Sequence, residues 1–191
     1  MRILYKINNF CFVTLRIWKY IFLSDCKNSG GKPNRFHPLL LSGTGKIMFG
    51  KNVQIGVISS PNYFSHYSYI EARGENSSVC IGNNVAINNA FSAIAMSKIT
   101  IDDNVLIGIN CSIIDNDGHD LNPSRRDDIN IKFANVHIEK NVFIGDNVTI
   151  LKGVTIGENS VVGSGSIVTK SVVKNVVVAG NPAKIIRTLE Y

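Results

Sequence analysis

"IEKNVF IGDNVT ILKGVT IGENSV VGSGSI VTKSVV", residues 138–173, divides into sixes without remainder. The first position of each hexad is Ile or Val, and the fifth is Val or Ser. The fourth runs Asn141, Asn147, Gly153, Asn159, Gly165, Ser171. Asn and Gly enter the left-handed backbone region at the lowest cost, so this column predicts a corner with positive φ every six residues. An α-helix has no use for such a column, and six hexads in register do not arise by coincidence in an ordinary sandwich.

Upstream segments keep the cadence. "FGKNVQ" (49–54), "IGNNVA" (81–86) and "IDDNVL" (101–106) leading into "IGINCS" (107–112) put Asn52, Asn84 and Asn104 at the same fourth position. Self-similarity at this period signals a parallel β-helix, each hexad supplying a short strand and a turn. First-position aliphatics then stack into an inward ladder, with strands pairing ~4.8 Å above and below. Three hexads close one triangular coil, which gives about six to seven coils and a prism about 30 Å long. The expected fold class is all-β: a left-handed parallel β-helix with an N-terminal helical segment and a protruding loop near 115–135. The expected divisions are residues 1–40 as a helical and basic segment, 41–178 as the β-helix domain and 179–191 as a tail.

Charge placement narrows the partners. The chain carries a formal +6, but residues 1–35 hold seven Lys/Arg against one Asp, and the remainder balances thirteen against thirteen. A nucleic-acid-binding body carries its own basic stripe, so no nucleic-acid partner is expected. Cys11, Cys26, Cys80 and Cys111 show neither a CxxC pair nor metal-ligand spacing, which reads as buried thiols in a reducing compartment. Residues 3–23, "ILYKINNFCFVTLRIWKYIFL", fall short of a spanning helix because Lys6, Asn8, Asn9, Arg16 and Lys19 interrupt them. They also lack the clean apolar run and small-residue cleavage site of a signal peptide. Ile3, Ile7, Phe10, Thr14, Ile17 and Ile21 recur at helical spacing. Two readings stay open for that helix: a cap on the solenoid, or peripheral membrane contact through residues 1–23. The expected location is cytoplasmic, at the inner face of the membrane if the second reading holds.

Register is lost between Ile114 and Val136, over "DNDGHDLNPSRRDDINIKFAN". Long loops inside a compact domain are uncommon and often functional, and a β-helix tolerates one at a corner because the coils on either side still stack. With "AGNPAKIIR" (179–187) following the hexads, the chain resembles the hexapeptide-repeat acyltransferases. The loop "GHDLNPSRR" (118–126) is similar to the active-site loop of their maltose, galactoside and polysaccharide O-acetyltransferase branch. The resemblance covers roughly residues 45–187. It implies a homotrimer with acetyl-CoA as acyl donor in the cleft between adjacent prisms, a sugar or glycan acceptor, and no metal. It also implies His119 as the catalytic histidine and Asn88, in "AINNAF", facing the acceptor. Thr169 and Lys170 in "GSGSIVTK" match positions near the CoA tail, Ser164 one whose backbone meets the pantetheine arm, and Arg187 a basic residue near the phosphates. Many members carry Trp where this chain has Phe143, which changes the shape of the pantetheine wall while keeping an aromatic.

The chemistry needs few parts. A sugar hydroxyl is a poor nucleophile at neutral pH, so a base must take its proton as it attacks the thioester carbonyl. Imidazole, with an ordinary pKa near ~6.5, suits that role and typically contributes ~10²–10⁴-fold. Asp115, Asp117 and Asp120 are the candidates for orienting the ring, although loop aspartates also serve as turn residues. The expected function is O-acetylation of a sugar hydroxyl by direct transfer, in surface-polysaccharide assembly. The rivals are N-acetylation of a nucleotide-linked amino sugar and a non-catalytic scaffold. A β-helix metalloenzyme needs three clustered histidines, and His119 and His137 lie on either side of a broken register with no third nearby.

Overall fold

A computed structural model describes residues 2–127 and 131–190 of the chain. Met1, residues 128–130 and Tyr191, which fall in the expected N-terminal segment, loop and tail, lie outside the described residues.

The period-six pattern folds into a left-handed parallel β-helix whose strands line up in sheets of six, eight and six. One coil shows the plan: Lys98–Ile101 on the first face, Leu106–Ile107 on the second and Ser112–Ile114 on the third. Each strand pairs in parallel with its counterparts in the coils before and after, as Ile101 does with Ile81 and Ile138. The first-position residues Ile138, Ile144, Ile150, Ile156, Val162 and Val168 are all buried, and so are Val142, Val148 and Val154 from the fifth position. Ser160 and Ser166 occupy the fifth position without loss, because Ser160 Oγ donates to the Val173 carbonyl at 2.8 Å and both side chains also accept from backbone N–H groups.

The corners that carry Asn or Gly adopt the predicted conformation, whereas Ser171, the last of the column, does not enter the left-handed region. Asn52, Asn84, Asn104, Asn141, Asn147 and Asn159 have φ between 55° and 61°, and Gly153 and Gly165 stand at 76° and 73°. The asparagines contribute more than a permissive backbone. Asn52 Nδ2 donates to Asn84 Oδ1 at 3.1 Å and Asn84 Nδ2 to Asn104 Oδ1 at 3.2 Å. Lower down, Asn141 donates to Asn159 and Asn159 to Asn175, at 2.8 and 2.9 Å. A second ladder at another edge links Asn110 to Asn147 at 3.0 Å.

Two segments leave the prism. The first coil begins at Ser29–Gly30, so the solenoid starts upstream of the point where hexads become legible. Before it, helix α1 (Arg2–Asn9) continues through a π-helical turn (Phe10–Thr14) into helix α2 (Leu15–Leu23). No helix among the described residues is long and apolar enough to cross a membrane. α2 rests against the third-face strand Leu39–Ser42 and against a loop at 57–67 that interrupts the second coil. Tyr20 stacks on Tyr67, Tyr63 donates to Asn9 Oδ1 at 2.7 Å, and Arg16 donates to the carbonyls of Ser65 and His66. The 57–67 loop is held from beneath by buried Asn89, which donates to the carbonyls of Val57 and Pro61 and accepts from the Val57 N–H.

His37 fastens the same loop. Its Nε2 donates to the carbonyls of Asn62 and Ser65, at 3.1 and 3.2 Å, while Nδ1 is buried with no partner among the described residues. Burial pushes its pKa down, and Arg16 and His66 nearby push the same way. The folded chain therefore keeps this ring neutral. In the pH window between its depressed value and the ordinary ~6.5, the unfolded chain binds the extra proton. Stability is thus full above pH ~6.5 and falls as the pH drops below it. Denaturant titrations at pH 7.5, 6.0 and 5.0 should show this loss, and His37→Gln, which donates but does not titrate, should flatten it. At the corners, Asn104→Ala should cost about 1–2 kcal/mol, because alanine bears the left-handed strain and loses the ladder bond, while Asn104→Gly should cost less. Thermal melts of the two variants check that order.

Candidate active site

The loop expected at 115–135 leaves the prism after Ser112–Ile114 on the third face and returns at Val136–Ile138 on the first. Its stem is anchored from inside. Asp115 is fully buried, and its carboxylate accepts from the N–H groups of Met96 at 2.8 Å and Ser97 at 2.7 Å, in the corner one coil earlier. The two limbs pair antiparallel: Asn116 bridges Phe133, Asp117 N–H donates to the Lys132 carbonyl, and Ala134 N–H to the Asp115 carbonyl. Lys152, from the next corner down, reaches up to Asp117 Oδ2 at 2.7 Å. The chain then turns at Gly118 (φ 74°), a left-handed position that suits glycine, and presents His119.

The geometry beyond His119 explains "DLNPSRR". Asp120 Oδ1 accepts from the Asn122 N–H at 2.7 Å, and Asn122 caps the 3₁₀ turn Pro123–Arg125 by accepting from the Ser124 N–H at 3.1 Å. This double turn brings the Arg126 carbonyl back to His119 Nδ1, at 3.0 Å. A carbonyl oxygen can only accept, so Nδ1 carries the hydrogen and Nε2 of the neutral ring keeps its lone pair. A cavity of about 480 Å³ opens here, lined by Asp117, His119, Asp120, Leu121, Arg126 and Asp127.

The ring is thus oriented by a backbone carbonyl, while each candidate aspartate is engaged elsewhere. Asp115 anchors the stem, Asp117 pairs with Lys152, and Asp120 closes the turn and lies 3.6 Å from Arg125. No side-chain pattern could have named the Arg126 carbonyl. His137 sits apart on the first face, paired with Asp102 at 2.9 Å, and no group of three metal-ligating side chains occurs among the described residues. Cys111 is buried with its Sγ 3.0 Å from the Gly145 carbonyl, and burial pushes its thiol up to about 11, so it is no nucleophile at neutral pH.

The remaining expected site residues do not join His119 in one chain. Thr169 and Lys170 follow the third-face strand Ile167–Val168, on the edge from which the His119 loop springs, two corners further down. Asn88 and Ser164 lie on a different edge, after the second-face strands Ala86–Ile87 and Val161–Val162. Asn88 Oδ1 accepts from the Asn89 N–H, and Ser164 Oγ from the Asp146 N–H. Phe143 stands on the second face itself, 47% exposed, in register between half-exposed Leu106 and Val161. Arg187 lies on Ala183–Thr188, the strand that turns back antiparallel along Val176–Gly180 to extend that face. The His119 cavity is lined by loop residues alone.

Removing the Asp115 carboxylate should release the whole loop. Asp115→Ala leaves two N–H groups unpaired in the interior and should cost about 2–3 kcal/mol. Hydrogen exchange should then rise across residues 116–134 while the coils on either side stay protected.

The profile of the bacterial transferase hexapeptide family (six repeats) matches residues 135–170. No curated protein matches the sequence. Among solved structures, a hexapeptide-repeat acetyltransferase from Vibrio cholerae in complex with acetyl-CoA is 37% identical with a TM-score of 0.57, over 59% of this chain and 61% of that one. A second structure of the Vibrio protein is 34% identical with a TM-score of 0.58, over 66% and 73%. A galactoside acetyltransferase in complex with coenzyme A is 34% identical with a TM-score of 0.61, over 74% and 65%. The polySia-specific acetyltransferase NeuO is 26% identical with a TM-score of 0.62, over 88% and 82%. The match thus spans under two thirds of the length of the acetyl-CoA complex and of the galactoside enzyme. Hexad register, the histidine loop and a relative 34% identical over most of its own length agree: this chain belongs to the hexapeptide-repeat acetyltransferases.

Proposed function

We propose that the chain is an acetyl-CoA-dependent O-acetyltransferase acting on a sugar hydroxyl, with His119 as general base. The observation that carries this reading is the Nδ1 hydrogen bond to the Arg126 carbonyl, which leaves the Nε2 lone pair free on a ring that lines the loop cavity. Nε2 takes the hydroxyl proton as the oxygen attacks the thioester carbonyl. A C–O bond forms, the C–S bond breaks, and the imidazolium returns its proton to the departing thiolate. No covalent enzyme intermediate is needed.

The donor would run along the second face. Leu106, Phe143 and Val161 form an apolar, solvent-facing row there, suited to a pantetheine arm, and Arg187 on the added strand supplies charge for phosphates. Because His119, Thr169 and Lys170 stand on one edge while Asn88, Ser164 and Phe143 belong to another edge and face, the reading requires a second copy to complete each site. A homotrimer, with an edge of each prism against the second face of its neighbour, meets that requirement. The setting we favour is surface-polysaccharide assembly, a reading supported by the similarity to a polySia-specific acetyltransferase.

The test is thiol release from acetyl-CoA across a panel of mono- and oligosaccharides. Acceptor-dependent release should fall ~10²–10⁴-fold in both His119→Ala and His119→Gln with the assembly intact. Equal release from wild type and variants would remove His119 from the mechanism, and transfer to amino sugars alone would make the enzyme an N-acetyltransferase. Co-expressing His119→Ala with Phe143→Asp should restore part of the activity that each variant lacks, since mixed trimers contain some sites with both residues intact.

A further inference from the structure

The N-terminal helices present two different faces. Asn9, Val13, Arg16, Ile17, Tyr20 and Ser24 are the residues turned toward the body, at the i, i+3, i+4 spacing of one helical face. Val13 is 2% exposed, and Asn9, Arg16, Tyr20 and Ser24 are the residues bonded or stacked against the 57–67 loop and the first coil. The opposite side is apolar and open. Ile3 is 76% exposed, Trp18 57% and Phe22 88%, with Ile7 and Phe10 about half exposed between them. Phe10 and Trp18 meet edge to face at 6.0 Å across the π-helical turn, so the row is continuous from α1 into α2. Lys6 and Lys19 flank it, and residues 1–24 contain no Asp or Glu.

We infer that this face is a membrane-docking surface, and that its partner is a bilayer rich in anionic lipid. An apolar row bordered by lysines and free of carboxylates is the pattern that lies in a bilayer interface, with side chains among the acyl chains and ammonium groups at the phosphates. A Trp on the apolar row suits the same boundary. The helix neither spans nor needs to, since its other face is already committed to the prism. Pairing with the same helix of a second copy would bring Lys6 and Lys19 against their own equivalents with no acidic group in either segment. Charge complementarity therefore favours lipid over self-association. The β-helix body, with balanced charge, would stay in water beside the surface.

Trp18 is the single tryptophan of the chain, so its emission reads this face directly. The full chain should float with vesicles of phosphatidylcholine containing 30% phosphatidylglycerol and shift Trp18 emission to the blue, and it should do neither with phosphatidylcholine alone. Lys6→Gln and Lys19→Gln should each weaken partitioning about fivefold, and 0.5 M NaCl should weaken it further. Ile7→Glu combined with Phe22→Glu should abolish it while leaving the circular dichroism spectrum and thiol release unchanged. Absence of flotation with the vesicles containing phosphatidylglycerol would overturn the proposal, as would flotation that the double variant retains. A Trp18 emission already blue in lipid-free protein, shifting to the red on dilution as the assembly dissociates, would assign the face to a subunit contact instead. Vesicle binding is read without acceptor or donor, so its failure would leave the transferase reading standing.

Discussion

Everything in this chain depends on stacking coils at one spacing, about 4.8 Å. Each residue must repeat its neighbour's conformation one coil away, or the ladder breaks. That constraint explains why the inward column admits aliphatics and an occasional bonded Ser, and why the corner column favours Asn and Gly, with Ala90 holding one left-handed corner at φ 60°. It also explains an economy at the corners: a residue chosen for its left-handed backbone places its amide directly over the one below, so strain relief and inter-coil bonding come from the same side chain. A protein under this constraint has little freedom to build chemistry within its walls. Chemistry must be carried by what departs from the repeat.

The departures are fastened by buried polar groups that the repeat itself does not supply. Asp115 holds the His119 loop by accepting two N–H groups of the preceding corner, and Asn89 with His37 holds the 57–67 loop. In each case the fastening residue is buried and bonded to the loop or to the corner beneath it, so the exposed part of the loop inherits a fixed base. The His119 ring gains a fixed tautomer the same way, from a carbonyl delivered by two nested turns. Rigidity is thereby transmitted outward from the prism to a residue that itself lies in solvent.

Legibility follows the same division. The coil count, the inward and corner columns and the place of the long loop were readable because each is a periodic consequence of local preference. His119 is legible as a candidate because a histidine in a broken register stands out, and its place at the turn after Gly118 gives it the cavity it lines. The orienting carbonyl was not, since any residue at 126 offers one; nor was the 57–67 loop, whose "VISSPNYFSHY" contains no break sharp enough to separate it from imperfect hexads. Asp115 looked like one of three equivalent aspartates, and only burial distinguishes the anchor from the turn residues.

Charge was the least legible property. Read as a sum, the first 35 residues are simply basic, yet their cations serve different ends. Arg16 is consumed by two loop carbonyls, and burial lowers its pKa. Arg35 has a buried Nη1, and desolvation lowers its pKa as well. Lys6 and Lys19 are exposed beside the apolar row, with the Lys19 ammonium 5.5 Å from the centre of the Tyr20 ring. In this segment Arg16 binds the protein to itself and Arg35 is drawn into it, while Lys6 and Lys19 stay on the exposed side. A net charge counts both alike, so the distinction between a cap and a docking surface had to wait for the helix to show which face it turns inward. One side packs against the first coil, and the other carries the open apolar row.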